Sequence, residues 1–288
     1  RSISVSQNMS PTKFKRLYWN IRYQLLARHF YAITGPLRTL PDFIIIGAMK
    51  SGTTSLYNYI CEHPCVLPAA YDEVGFFDDN FHLGLNWYRS LFPTKKQIDN
   101  IRKKEGIAIT GEDTPFYFWN KDARDRIQKL LPKIKLILNL RNPVDRAFSE
   151  YNNVVREKGI TLSFEEYIKP DLENIENNSL DVAQCGQKSA IISRGIYFKQ
   201  LEMWRELFPK EQIFIFDSNE LSQKPVEIMN KIFKFLNLPD YRIEKRFHIK
   251  KFMYDKMDNN TREKLIEFYK PINEKLFNLI GEKYNWNK

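Results

Sequence analysis

Short apolar runs alternate along this chain with longer stretches in which apolar residues recur every three or four positions. Residues 43–46, 65–67, 106–110, 134–140 and 213–217 read as buried strands. Helical spacing predicts helices from Thr53 to about Glu62, stopped by Pro64, and over 122–131, closed by Pro132. A third opens after Asn142, a good N-cap followed by Pro143 at the first helical position. Others are expected over 194–208, over 226–236 and from Asn260, where Glu263 completes a capping box and Pro271 should kink or split the helix. Residues 95–105 read as a charged, solvated stretch, and 165–190 as a polar excursion over the surface. Strands alternating with helices predict an α/β fold, a parallel sheet covered on both faces.

The first strand breaks into a loop with two glycines, Gly47 and Gly52, and Thr53-Thr54-Ser55 then opens a helix. A strand, a glycine-bearing loop and a helix N-terminus together make an anion site, to which Lys50 adds a full charge. The pattern resembles a P-loop but departs from it. G-x-x-x-x-G-K-[ST] needs Lys at position 53, where Thr stands. An NTPase built this way lacks its usual contact to the β/γ-phosphates. Two more marked loops follow strand ends, at 112–117 and at 141–149. Ligands of open α/β sheets bind outside the carboxyl ends of the strands, so one composite site is expected.

With 288 residues, 43% hydrophobic and 14% aromatic, the chain can bury one sizeable core. A net charge of +10 favours an anionic ligand and allows nucleic acid or an anionic membrane. Residues 13–33 are basic, aromatic and amphipathic, which fits a helix packed on the domain or a peripheral membrane contact. We therefore divide the chain into an N-terminal extension, 1–40, and a single domain, 41–288. Cys61, Cys65 and Cys185 lack a zinc-ligand spacing and read as buried thiols. The four histidines have no i, i+4 partners, which disfavours a metal site. Reduced cysteines and no visible signal point to the cytoplasm; the Golgi lumen is the alternative if an anchor has been trimmed.

Residue by residue, Lys50, Ser51, Gly52, Thr53, Thr54 and Ser55 form the anion cradle. Arg141, a planar fork at a strand exit, and Ser149, two turns into the next helix, suit a second anion position. Glu73 is a candidate general base, its pKa lifted if Phe76 and Phe77 wall it in. Glu112 and Asp113 are adjacent, so in an extended segment they point opposite ways and do not form an acid/base pair.

The segments P-D-F-I-I-I-G-A-M-K-S-G-T-T-S-L, E-V-G-F-F-D, G-L-N-W-Y, G-E-D-T-P-F-Y, L-R-N-P-V-D-R-A-F-S-E-Y and S-R-G-I-Y follow one another in this order. Together they resemble the carbohydrate sulfotransferases, closest to the heparan sulfate type and its microbial relatives, over residues 41–286. The resemblance implies a P-loop-NTPase-like three-layer fold with a central parallel sheet of about five strands. It implies sulfuryl transfer from 3′-phosphoadenosine 5′-phosphosulfate (PAPS) to an acceptor hydroxyl on a glycan or glycolipid, with 3′,5′-ADP as product. Neither a metal nor a nucleic-acid partner is implied. The family's 5′-phosphosulfate loop falls on Lys50 to Ser55, its 3′-phosphate contacts on Arg141 and Ser149, its general base on Glu73, and Tyr197 joins the nucleotide contacts. Lys250, Lys251 and Lys256 are candidates to cover the nucleotide. The chain departs from the heparan type at Asp72 and Asp113, where relatives carry Lys, and acidic side chains there repel a sulfated chain. It also lacks that type's C-terminal cysteine pair and K-G-R motif. The competing classes are a P-loop nucleotide kinase and a basic binding protein with a vestigial nucleotide site.

Overall fold

A computed structural model describes residues 31–70, 72–177, 185–186, 190–244 and 256–286. Five parallel strands form one sheet: β1 (Phe43–Gly47), β2 (Val66–Pro68), β3 (Ile109–Asp113), β4 (Lys135–Leu140) and β5 (Ile213–Asp217). Their order is β2-β3-β1-β4-β5, with Phe43 opposite both Gly111 and Lys135. The chain leaves central β1 for one edge, returns through β3 and then crosses to β4. The sheet order therefore reverses beside β1, which brings the three marked loops to one end.

Alternate residues of β1 serve opposite faces. Ile44 and Ile46 enter a core with Leu136, Leu138, Trp204 and Trp286, whereas Phe43 and Ile45 enter another with Leu56, Ile60, Ile137 and Ile232. Both faces are covered, so the strands carry no polar alternation. Burying one such side chain contributes roughly 1.5–3 kcal/mol. Gly111 is required by this packing, because a Cβ there would meet the Phe43 ring at 2.4 Å.

The helices are α1 (Thr53–Cys61), α2 (Leu85–Ser90), α3 (Lys95–Glu105), α4 (Lys121–Leu130), α5 (Pro143–Lys158), α6 (Phe164–Asn177), α7 (Tyr197–Arg205), α8 (Ser218–Gln223), α9 (Pro225–Phe235) and α10 (Asn259–Ile280). A third apolar cluster joins Val144, Ile168, Ile192, Leu265 and Tyr269 beneath α5, α6 and α10.

Several expectations shift. Residues 95–105 are a helix, started by a Thr94 capping box and ended at Gly106, whose φ is 83°. Gly106 thus caps a helix instead of opening a strand, and β3 begins three residues later and runs into Glu112 and Asp113. The surface excursion contains α6, which buries Phe164, Ile168, Asp171 and Ile175 at helical spacing. Between 194 and 208 a 3-10 turn (Ser193–Gly195) precedes α7, so the α-helix starts at Tyr197. Asp258, not Asn260, caps α10, which runs unbroken through Pro271. The basic segment 13–33 lies almost wholly outside the described residues, as do Lys250 and Lys251. Among the described residues no helix is long and apolar enough to cross a membrane.

Candidate active site

The loop between β1 and α1 is fastened from behind by β4. Ala48 N–H donates to the Asn139 carbonyl at 2.8 Å, and Asn139 Nδ2 donates to the Ser51 carbonyl at 2.7 Å. Two residues on, at the exit of β4, Arg141 Nη1 donates to the Lys50 carbonyl at 2.9 Å. Two loop carbonyls are thus committed to β4. The first turn of α1 begins at Gly52, at φ 87°, with no side-chain cap. The N–H groups of a helix's first turn have no intrahelical partner, so they remain available to an anion. Lys50 is held at φ 65°, a left-handed conformation that costs a non-glycine residue about 1–2 kcal/mol and tends to mark functional sites. The Ser51 hydroxyl is buried without a hydrogen-bond partner. An orphaned donor in the cradle fits the oxygen of a bound phosphate or sulfate.

Arg141 and Ser149 are both half-buried, at the exit of β4 and within α5. Tyr197 is buried, and its hydroxyl donates to the Arg141 carbonyl at 2.9 Å. Asn142 caps α5 through Val144 N–H and donates from Nδ2 to the Trp286 carbonyl at 3.0 Å. Lys256 is exposed.

Glu73 sits in the loop after β2, also left-handed at φ 53°, and its N–H donates to the Asp113 carbonyl at 2.9 Å. Its carboxyl reaches solvent, yet the surrounding chain desolvates it in part and raises its pKa. Asp72 raises it further, and Lys50 opposes the shift. The Lys50 ammonium is half-buried; burial and Arg156 lower its pKa, while Glu157, Glu150 and Glu73 oppose that shift. The charge on each of Glu73 and Lys50 thus bears on the pKa of the other. Phe76 and Phe77 are both buried in the core, Phe76 stacked on Tyr88 with centroids 4.3 Å apart.

Sequence reasoning passed over the residue that organises this loop. Glu112, fully buried, accepts hydrogen bonds from Tyr88 Oη at 2.5 Å and Thr114 Oγ1 at 2.8 Å. Thr114 Oγ1 in turn accepts Gly75 N–H at 3.2 Å, and Tyr117 Oη accepts Phe77 N–H at 3.2 Å. Burial pushes the Glu112 carboxyl up to about 7. The signal was present in G-E-D-T-P-F-Y, where hydroxyl-bearing residues follow Glu112 at short spacing. Asp113 points to the opposite face, as strand alternation requires, and its carboxylate is buried with neither oxygen hydrogen-bonded. Burial, Asp72, Glu73 and Glu112 push it up to about 8.

None of the three cysteines is joined in a disulfide. Among the described residues, no group of three or more His, Cys, Asp or Glu converges to hold a metal ion.

Comparison with known proteins adds the following. A family model described as the sulfotransferase domain matches residues 40–286. Heparan sulfate glucosamine 3-O-sulfotransferase 5 of Mus musculus is 30% identical over 274 residues, covering 87% of this chain and 75% of the relative. The human protein of that name has the same identity and coverage. Membrane-associated sulfotransferase kil1 of Dictyostelium discoideum is 27% identical, covering 88% of this chain and 68% of that protein. Among solved structures, a sulfotransferase from Alicyclobacillus acidocaldarius superposes with a TM-score of 0.66 at 26% identity, over 87% of this chain and all of the other.

Proposed function

The chain belongs to the sulfotransferase domain family and is an enzyme of sulfuryl transfer, and from that premise we propose how its own residues carry the reaction. The acceptor is a hydroxyl of a carbohydrate or glycolipid. PAPS supplies an activated sulfuryl group whose leaving group is 3′,5′-ADP. Lys50, the Ser51 hydroxyl and the N–H groups opening α1 hold the 5′-phosphosulfate end. Arg141 and Ser149 hold the 3′-phosphate, with Tyr197 bracing Arg141. Glu73 takes the proton of the acceptor hydroxyl as that oxygen bonds to sulfur. The S–O bond to the 5′-phosphate breaks, its electron pair stays on the phosphate oxygen, and Lys50 stabilises the charge that grows there. Lys256 remains a candidate to cover the nucleotide, and residues 41–288 are taken as one catalytic domain.

The single observation that carries this assignment is the cradle itself: a buried, unpartnered Ser51 hydroxyl beside Lys50 at a helix start with no side-chain cap. Such a set of donors suits the phosphosulfate end of the donor. The curated relatives that act on heparan sulfate glucosamine support a glycan acceptor. A kinase is disfavoured by Thr53, which stands where its phosphate lysine belongs.

Incubation with radiolabelled PAPS and a panel of glycans, glycolipids and small alcohols is the test. We expect PAPS-dependent label on a glycan or glycolipid, lost in Glu73→Gln. Unlabelled acceptors throughout, or a Glu73→Gln variant with unchanged product, would overturn the assignment.

A further inference from the structure

The positive charge of this chain is unevenly placed. Residues 1–41 contain Arg1, Lys13, Lys15, Arg16, Arg22, Arg28 and Arg38 and no aspartate or glutamate, so they carry seven of the ten net charges. The remainder is nearly neutral, with 38 basic residues against 35 acidic ones. The donor site uses none of the seven, since Lys50 and Arg141 lie outside that stretch. The stretch is also aromatic, through Phe14, Tyr18, Trp19, Tyr23 and Phe30. It leads into a 3-10 helix, Tyr31–Leu37, that is anchored to the domain yet leaves its apolar side chains bare. Gly35 is buried against α2, where a Cβ would meet Asn86 Cα at 2.9 Å. Arg38 clamps the turn, donating from Nε to Thr34 Oγ1 at 2.9 Å and from Nη1 to the Phe92 carbonyl at 2.6 Å. Ile33 is nonetheless 76% exposed, Leu37 65% and Tyr31 37%. Among the described residues eight large hydrophobic side chains are exposed, and three of them fall in this one turn.

We propose that residues 1–38 seat the protein on an anionic lipid surface. Tyr31, Ile33 and Leu37 enter the headgroup layer, and the basic side chains before them meet the lipid phosphates and carboxylates. The inference stands apart from the sulfuryl-transfer assignment above. An anionic bilayer rewards both features at once, since charge draws the basic stretch in and the bare apolar side chains gain by leaving water. Nucleic acid would satisfy the charge alone, because its phosphates offer isoleucine and leucine no apolar surface. A second copy of the chain would match the apolar side chains but set like charges against each other. The Arg38 clamp favours insertion, because side chains carried on a fixed turn give up little freedom when they bind.

Co-sedimentation of the full chain with vesicles is the test, using phosphatidylcholine alone and phosphatidylcholine with about one third phosphatidylserine. We expect the anionic vesicles to bind at least about tenfold tighter than the neutral ones, with binding fading as salt rises from about 0.1 M to about 0.5 M. Ile33→Ser combined with Leu37→Ser should weaken binding about tenfold. The melting temperature should stay unchanged, since both side chains are already in water. The triple change Lys13→Glu, Lys15→Glu and Arg16→Glu should abolish the preference for anionic lipid. Equal binding to both vesicles, no binding to either, or full binding retained in both variants overturns the inference. So does a DNA or RNA duplex that displaces the vesicles and is indifferent to the serine changes. A dimer formed without lipid and dissolved by the serine changes would likewise replace the membrane by a second copy.

Discussion

Arg141 donates from Nη1 to the carbonyl oxygen of Lys50 at 2.9 Å. That one bond ties the exit of β4 to the loop after β1, so the two anion positions are held in fixed relation. It also commits the Lys50 carbonyl to Arg141. Lys50→Ala should lower kcat about 10²–10³-fold, the usual cost of removing one preorganised charge from a transition state. Lys50→Gly should lose as much activity yet melt at a higher temperature than Lys50→Ala, because the φ of 65° suits glycine. Retention of wild-type kcat in either variant refutes the leaving-group role.

For Arg141 the diagnostic is nucleotide selectivity. Arg141→Ala and Ser149→Ala should bind 3′,5′-ADP about 10–100-fold more weakly while changing affinity for 5′-AMP little, since only the former carries a 3′-phosphate. Equal losses for both nucleotides in calorimetry would remove these residues from the 3′-phosphate site.

Glu73 must be deprotonated to act as a base, and burial with Asp72 raises its pKa. The acid limb of kcat/KM should therefore lie above the ordinary carboxylate range, with activity rising as pH passes through it. Glu73→Gln should cost about 10²–10⁴-fold in kcat. Removing the neighbouring charge in Asp72→Asn should shift the limb to lower pH. A limb that stays put would mean that the titrating group is not Glu73.

The buried carboxyls also predict how stability varies with pH. Asp113 is pushed up to about 8 and Glu112 to about 7, both above their unfolded values of about 4. The native state holds protons that the unfolded chain releases, so this stability is fully present below about pH 4 and is lost as pH rises through 7 to 8. Urea unfolding of the wild type from pH 5 to 9 should show falling stability. Asp113→Asn should flatten that slope, and an unchanged slope would assign it to other groups.

Trp286 is buried against Tyr197 and Phe277, its Nε1 donates to Asp217, and its carbonyl accepts from Asn142. Trp286→Ala should destabilise the fold by about 3–5 kcal/mol. Because Tyr197 braces Arg141, affinity for 3′,5′-ADP should fall as well, measured well below the melting temperature.

Local order along the chain was enough for much of the architecture. Phe43–Gly47 is apolar throughout because both its faces are covered, and Gly52 followed by hydroxyl residues marks a helix start fit for an anion. The absence of Lys at position 53 separates this loop from an NTPase, and the order of the motifs pointed to sulfuryl transfer before any fold was known. Even the opposed directions of Glu112 and Asp113 follow from the two-residue repeat of a strand.

What tertiary structure decided is how those residues are partnered. Glu112 reads as one more loop carboxylate until Tyr88, from helix α2, donates its hydroxyl to it. Tyr197 is a tyrosine in a motif until its hydroxyl meets the Arg141 carbonyl, 56 residues away in sequence. Asp113 stands out only because nothing pairs with it. A residue's period and capping chemistry are properties of its neighbours in sequence, so they can be read in one dimension. Desolvation and hydrogen-bond satisfaction depend on which distant segments come together. Those conditions fix the pKa of Glu73 and leave Asp113 without a partner, and they exist only once the sheet has closed.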